Sequence, residues 1–193
     1  MGTERQDGID RFVEGVVAIF PTLDPEVEAA VDRMSKIMKY IDRATEGNVK
    51  VFGLNVGEFK VLLRLREAND ETLTAGALAD MLDLSPSAMT NRLDRLEEDG
   101  LVSRARDTED RRSVLVSITP RGEEIVGQAV ERQAKEESSL LAVLSATDQR
   151  RLNVLLRALS LEIEDRGFVP PGHHAAHGRA CRNAAPAAPP RHR

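Results

Sequence analysis

Aromatic side chains are scarce in this chain of 193 residues, which has no tryptophan, one tyrosine and five phenylalanines. A core must therefore rest on Leu, Val, Ile, Met and Ala, a set that favours helices. Cysteine is nearly absent: the single Cys181 excludes an intramolecular disulfide and fits a reducing cytosol. No apolar run approaches the length of a membrane span. The opening stretch MGTERQDGID is polar, with no secretory h-region. Together these absences predict a soluble, cytoplasmic protein with no membrane partner. Net positive charge is missing too. With 27 basic against 32 acidic residues the chain carries −5. That excludes a histone-like, nonspecific binder of polyanions, yet leaves room for a local stripe of arginines.

What is present is apolar spacing, mostly of helical period. Ile9 to Phe20 places Ile9, Phe12, Val13, Val16, Val17 and Phe20 at helical intervals. Asp24-Pro25 reads as an N-cap followed by proline at the first helical position. The stripe Val27, Val31, Met34, Ile37, Met38, Ile41 follows, ending near Gly47. A further helix is expected from about Asn55 to Ala68, with Phe59, Leu62, Leu63 and Leu65 inward. Short helices are then expected at 75–82 and from Ser85-Pro86 to about Asp99, where Gly100 supplies the C-terminal stop. After Gly100 the period changes to two. Leu101–Arg106 and Ser113–Ile118 read as a hairpin around the charged stretch 107–112. Thr119-Pro120 opens a long helix to about Leu144, and Thr147 to Arg166 forms the last, with Leu152, Leu155, Leu156, Leu159 and Ile163 inward.

Residues 167–193 differ in composition. They hold all four histidines, the one cysteine, most of the prolines, four arginines and no acid, the pattern of a disordered basic tail. The expected organisation is an N-terminal extra helix and dimerisation helix over 1–54, a DNA-binding unit over 55–121, C-terminal dimerisation helices over 122–166, and the tail. The fold class is mainly α with a small β-hairpin wing, a winged helix-turn-helix.

The helix beginning at Ser85 carries the chemistry. Met89, Leu93 and Leu96 share one face and must bury against Ala77, Leu78 and Met81. The opposite face offers Ser87, Thr90, Asn91, Arg92 and Arg95, side chains that hydrogen-bond phosphates and base edges. A helix N-terminus adds free N–H groups that suit a phosphate. The hairpin contributes Arg104, Arg106, Arg111 and Arg112, and an arginine at a hairpin tip suits the narrow minor groove. Asp110 stands two residues before Arg112, placed to orient its guanidinium. Against this, residues 85–112 hold six arginines but seven acids, which a solvated surface would also show.

The stretch LADMLDLSPSAMTNRLDRLEEDGLVSRARDTEDRRSVLVSITPRG, Leu78 to Gly122, resembles the MarR family of bacterial regulators. The run DRRSVLVSIT is its most specific part, and LNVGEFKVLLRL is similar to the family's preceding helix. The resemblance implies a homodimer with interleaved terminal helices, bound to pseudo-palindromic duplex DNA, usually as a repressor and often released by a small molecule or oxidant. It implies that Arg112 is the wing-tip arginine and Asp110 its supporting acid. The extra helix at Ile9–Phe20 followed by PTLD resembles a subgroup responding to urate or related anionic metabolites. Two arginines twelve residues apart in that subgroup fit Arg92 and Arg104. The subgroup's tryptophan is missing, and Phe59-Lys60 stands where it has an acid. A different anion, such as a carboxylic acid held by Lys60, Arg92 and Arg104, is the effector this pattern suggests. Alternatively, Arg92 and Arg104 contact phosphates and Lys60 is solvated.

Three rival readings rank lower. Acid–base or nucleophilic catalysis usually needs a His, Cys or acid pair held in a pocket, and every His and the Cys lie in the tail, so neither an enzyme nor a cofactor is expected. A metal or redox sensor would have to use His173, His174, His177 and Cys181, ligand types set in a Pro/Ala/Gly-rich segment that builds no defined site. A pure protein-interaction module has no need of the arginine wing.

Overall fold

The computed structural model describes residues 6–68, 72–106 and 113–168. Helix α1 (Gly8–Ile19) starts in a capping box: the Asp7 carboxylate accepts from Ile9 and Asp10 N–H, and the Asp10 side chain returns to the Asp7 N–H. Helix α2 (Pro25–Lys50) begins at the Asp24 cap with proline at its first position and runs one turn beyond Gly47. Ile9 and Val13 of α1 bury against Ala29 of α2, forming a small satellite core. Helix α3 (Val56–Glu67) is opened by Asn55 and Glu58 in a second capping box.

The next elements, together with α3, make a compact head. Strand β1 (Leu73–Thr74) leads into α4 (Ala75–Met81), and α5 (Pro86–Glu98) follows a three-residue break capped by Ser85. Asp83 in that break takes φ 51°, a left-handed conformation that Asp tolerates better than most residues. Gly100, at φ 69°, ends α5, and Leu101 N–H closes back on the Leu96 carbonyl. Strands β2 (Val102–Arg106) and β3 (Val114–Ile118) pair antiparallel, with Arg104 opposite Val116 and Arg106 opposite Val114. Helix α6 (Pro120–Leu141) returns along α2 and α3, and α7 (Ala146–Asp165) completes the described chain.

One core holds the head to α2 and α6. Leu62 and Val61 of α3, Leu78 of α4, Met89, Leu93 and Leu96 of α5, Val116 of β3 and Val126 of α6 are essentially excluded from solvent. A polar seam ties α6 to α2: Asn48 donates to Gln133, Arg132 donates to Asn48, and Gln133 donates to Thr45. Tyr40 donates to Glu136 at 2.6 Å.

The structure departs from the sequence reading in three places. The sheet has three strands in the order β1-β3-β2, because Leu73 and Thr74 pair with Val116 and Leu115. Two residues are too few for periodicity to reveal. Helix α6 stops at Leu141 rather than Leu144. Most consequentially, the apolar face of α7 does not turn inward. No residue of α7 is buried, Leu155 being 65% and Leu159 48% exposed, because the described residues of one chain leave most of its apolar face uncovered.

Candidate nucleic-acid interface

Helix α5 is divided by burial. Met89, Leu93 and Leu96, at intervals of four and three, disappear into the core, while Ser87, Thr90, Asn91 and Arg95 stay exposed. The outward ridge is uncharged and polar toward the N-terminus; Asp94, Glu98 and Asp99 make the C-terminal part acidic. Phosphate repulsion at that end, and the positive N-terminal dipole end, both favour an N-terminus-first approach to duplex DNA.

The individual side chains sort further. Ser85 is committed as the cap, its Oγ accepting from Ala88 N–H at 3.2 Å and standing 3.1 Å from the Ser87 Oγ. Thr90 donates its hydroxyl proton to the Pro86 carbonyl at 2.9 Å, so it faces outward as an acceptor and a methyl group. Asn91 has no such internal tie among the described residues. Arg95 leans toward α3, its guanidinium 3.8 Å from the carboxylate of Glu58, an acid left only 6% exposed. Arg92 is half-buried rather than outward. Its guanidinium lies over Gly57 in the first turn of α3.

Arg104 is not a free cation. Its Nε donates to Glu97 at 2.8 Å, its backbone N–H donates to the same carboxylate at 3.2 Å, and a terminal nitrogen stands 2.7 Å from Asp94. The guanidinium holds the Glu97 carboxyl below its usual range, and Glu97 in turn raises the pKa of Arg104. The sequence shows no sign of this clamp beyond the acids on the β2 flank of α5. Arg106, two residues along the strand, is exposed. Lys60 is exposed on α3, one turn after Gly57, so it shares a helix face with the residue Arg92 covers. Asp110, Arg111 and Arg112 lie outside the described residues, as do His173, His174, His177 and Cys181.

An open groove of about 900 Å³ separates the end of α2, the start of α3 and α5, lined by Glu46, Lys50, Gly57, Glu58, Arg95 and Asp99 among others. Lys60, Arg92 and Arg104 do not line it. Among the described residues no cluster of three or more His, Cys, Asp or Glu could hold a metal ion, and no helix is long and apolar enough to cross a membrane.

Comparison with known proteins places this architecture. The MarR family model matches residues 54–114, from just before α3 to the start of β3. The HTH-type transcriptional regulator PecS of Dickeya dadantii is 30% identical over 137 residues, covering 70% of this chain and 82% of PecS. The HTH-type transcriptional repressor YetL of Bacillus subtilis is 39% identical over 70 residues, 36% of this chain and 42% of YetL. The crystal structure of wild-type, apo MarR from E. coli superposes with a TM-score of 0.57 at 27% identity, covering 66% of this chain and 94% of that one. PecS and YetL are thus named as regulators of transcription. With its helix-turn-helix, its three-stranded sheet and this kinship, the chain belongs to the MarR family of DNA-binding transcriptional regulators.

Proposed function

We propose that the chain is a cytoplasmic, homodimeric repressor that reads a pseudo-palindromic operator and is released by a small anion. The observation that carries the reading is the division of α5, with three buried apolar residues behind an exposed polar ridge at its N-terminal end. Ser87, Thr90 and Asn91 approach base edges in the major groove. Ser85, Arg92 and Arg95 support that helix and its phosphate contacts, and Arg106 tracks the backbone from the wing. By sequence register alone, Arg112 is the wing-tip arginine for the minor groove, with Arg111 beside it and Asp110 orienting its guanidinium. Repression is favoured by the name of YetL, which is 39% identical over 70 residues.

Dimerisation is favoured by what one chain leaves uncovered. Val27, Val31, Ile37 and Met38 of α2 and Leu155, Leu156, Leu159 and Ile163 of α7 are all exposed, an apolar expanse that a monomeric protein rarely leaves open. A two-fold partner buries it. Residues 1–54 and 122–166 form that dimer body, and 55–121 the head.

For the effector, Lys60 and Arg92 flank the same face of α3 near its positive end. Arg104 already has two carboxylate partners, so an anion recruiting all three cations must displace Asp94 and Glu97. Citrate-like carboxylates suit such a site better than neutral drugs. A sensor built on the His and Cys residues of the tail is the less favoured alternative, since nothing in the described residues supports it.

A gel-shift titration with duplex from the chain's own promoter region tests the central reading. A shift that survives excess nonspecific DNA is expected; a shift that nonspecific DNA abolishes overturns it.

A further inference from the structure

We infer that Arg104 is a positioning residue for DNA binding, a brace that fixes the wing against α5, rather than a contact to DNA itself. The inference rests on the DNA-binding reading above. Along β2 the side chains alternate, so Val102, Arg104 and Arg106 share one face. Val102 is buried in the core. Arg104 comes next and closes on Glu97 and Asp94, which stand three residues apart on one flank of α5. Arg106 follows two residues further along and is exposed. The order along the strand is therefore anchor, brace and free cation.

Three features separate this arrangement from an incidental surface pair. Arg104 is only 26% exposed. Glu97 engages it twice, at the guanidinium and at the backbone N–H, so the carboxylate fixes the strand and not merely a flexible side chain. The second acid, Asp94, takes a different guanidinium nitrogen, leaving the planar fork few orientations. No described residue lies between this clamp and Arg106 except Ala105, so the direction in which the wing leaves the head is set here. Sequence reading assigns Arg104 to the DNA or to an anion because it sees a cation without its partners.

Charge gives the test a sign. Neutralising both acids raises the net charge of the head by two and frees the Arg104 guanidinium. If Arg104 touches phosphate, or if only the electrostatic field matters, Asp94→Asn with Glu97→Gln must tighten DNA binding. If the acids hold the wing in place, the same variant binds more weakly despite its added positive charge. Operator duplex titrations by fluorescence anisotropy, on wild type, Glu97→Gln and the double variant, each with and without Arg106→Ala, decide between these. We expect the double variant to lose on the order of tenfold in operator affinity, the size of one groove contact. Arg106→Ala should cost less in that background than in wild type, because an unbraced wing no longer presents Arg106. Should the double variant fold poorly by circular dichroism, the single Glu97→Gln change is read the same way. Tighter or unchanged binding overturns the inference, whereas a wild-type chain with no operator preference overturns the DNA-binding reading instead. Hydrogen exchange probes the brace without DNA: amides of β2 should exchange faster in Glu97→Gln while α5 is unchanged, and equal exchange in both would sink it.

Discussion

The guanidinium of Arg92 rests on Gly57: a Cβ built on that glycine would stand 2.6 Å from Arg92 Cζ. An arginine of α5 is thus seated on the first turn of α3, in a space that exists only because residue 57 has no side chain. The obstacle to a methyl group there is the far end of a flexible side chain and not backbone, so Gly57→Ala should leave the fold intact while evicting Arg92. Removing a helical glycine should even stabilise α3, by up to roughly 1 kcal/mol. If Arg92 and Lys60 form the anion site, calorimetry with citrate should show heat for wild type, and neither Gly57→Ala nor Lys60→Ala should match its affinity. Equal heats from all three proteins would remove both residues from the site.

Gly122 makes the opposite case. A Cβ there would meet the Leu101 carbonyl oxygen at 2.1 Å and the Ile118 side chain at 2.8 Å. The first turn of α6 presses directly on the backbone that links α5 to β2, and backbone cannot swing aside. Gly122→Ala should destabilise the head by about 1–3 kcal/mol, the usual cost of overpacking a close contact. An unshifted thermal midpoint would contradict this.

How much of this was legible beforehand depended on range. Local signals read correctly: Asp24-Pro25, Ser85-Pro86 and Thr119-Pro120 all open helices, and Gly100 closes one, because caps depend on neighbours in sequence. Met89, Leu93 and Leu96 were identifiable as core because their spacing fixes a face. Contacts across the chain were not. Arg92 and Arg104 look like outward cations until Gly57, Asp94 and Glu97 are placed beside them. The leucines of α7 announce burial without saying against what, and among the described residues of one chain none of them is buried.

Acid should loosen the N-terminal helix first. Arg33 on α2 binds both Asp7 and Asp10, and its hydrogen bond, with help from the helix N–H groups, lowers the Asp7 pKa from 3.8 to about 2. The folded chain therefore binds this proton less readily than the unfolded chain. Its contribution is complete above 3.8 and disappears as pH falls toward about 2. Hydrogen exchange in α1 should accelerate over that window. Arg33→Gln should loosen α1 already at neutral pH and flatten the acid response. A variant with wild-type acid behaviour would show that the ion pairs do not dock α1.

Two serines two residues apart should fail in different ways. Ser85 caps α5, so Ser85→Ala should lower stability by about 1 kcal/mol. Its operator affinity should fall only as far as the helix end frays. Asn91 is exposed and outward, so Asn91→Ala should leave the melting temperature alone and cost on the order of 1–3 kcal/mol in operator binding. Ser87→Ala should resemble Asn91→Ala more than Ser85→Ala. Parallel melting and anisotropy measurements separate the two patterns; an Asn91→Ala protein that binds like wild type would mean that another face of α5 meets the DNA.

The dimer prediction follows from α7. None of its leucines is buried among the described residues, yet Leu155, Leu159 and Ile163 repeat at intervals of four along one face. Covering such a face against a second copy removes apolar surface worth roughly 25 cal/mol per Å². Together with the exposed stripe of α2, it offers the apolar centre that an interface needs to offset the entropy of association. Light scattering should give twice the 21.2 kDa of one chain. Leu159→Glu places a charge at the centre of the α7 face, where burial would strip its hydration. It should shift the protein toward monomer without unfolding the head, because Leu159 touches no core there. Operator affinity should fall with it, since a monomer engages only one half-site at a time. A wild-type chain that stays monomeric at micromolar concentration, or a Leu159→Glu chain that stays dimeric, would show that α7 is not the seam.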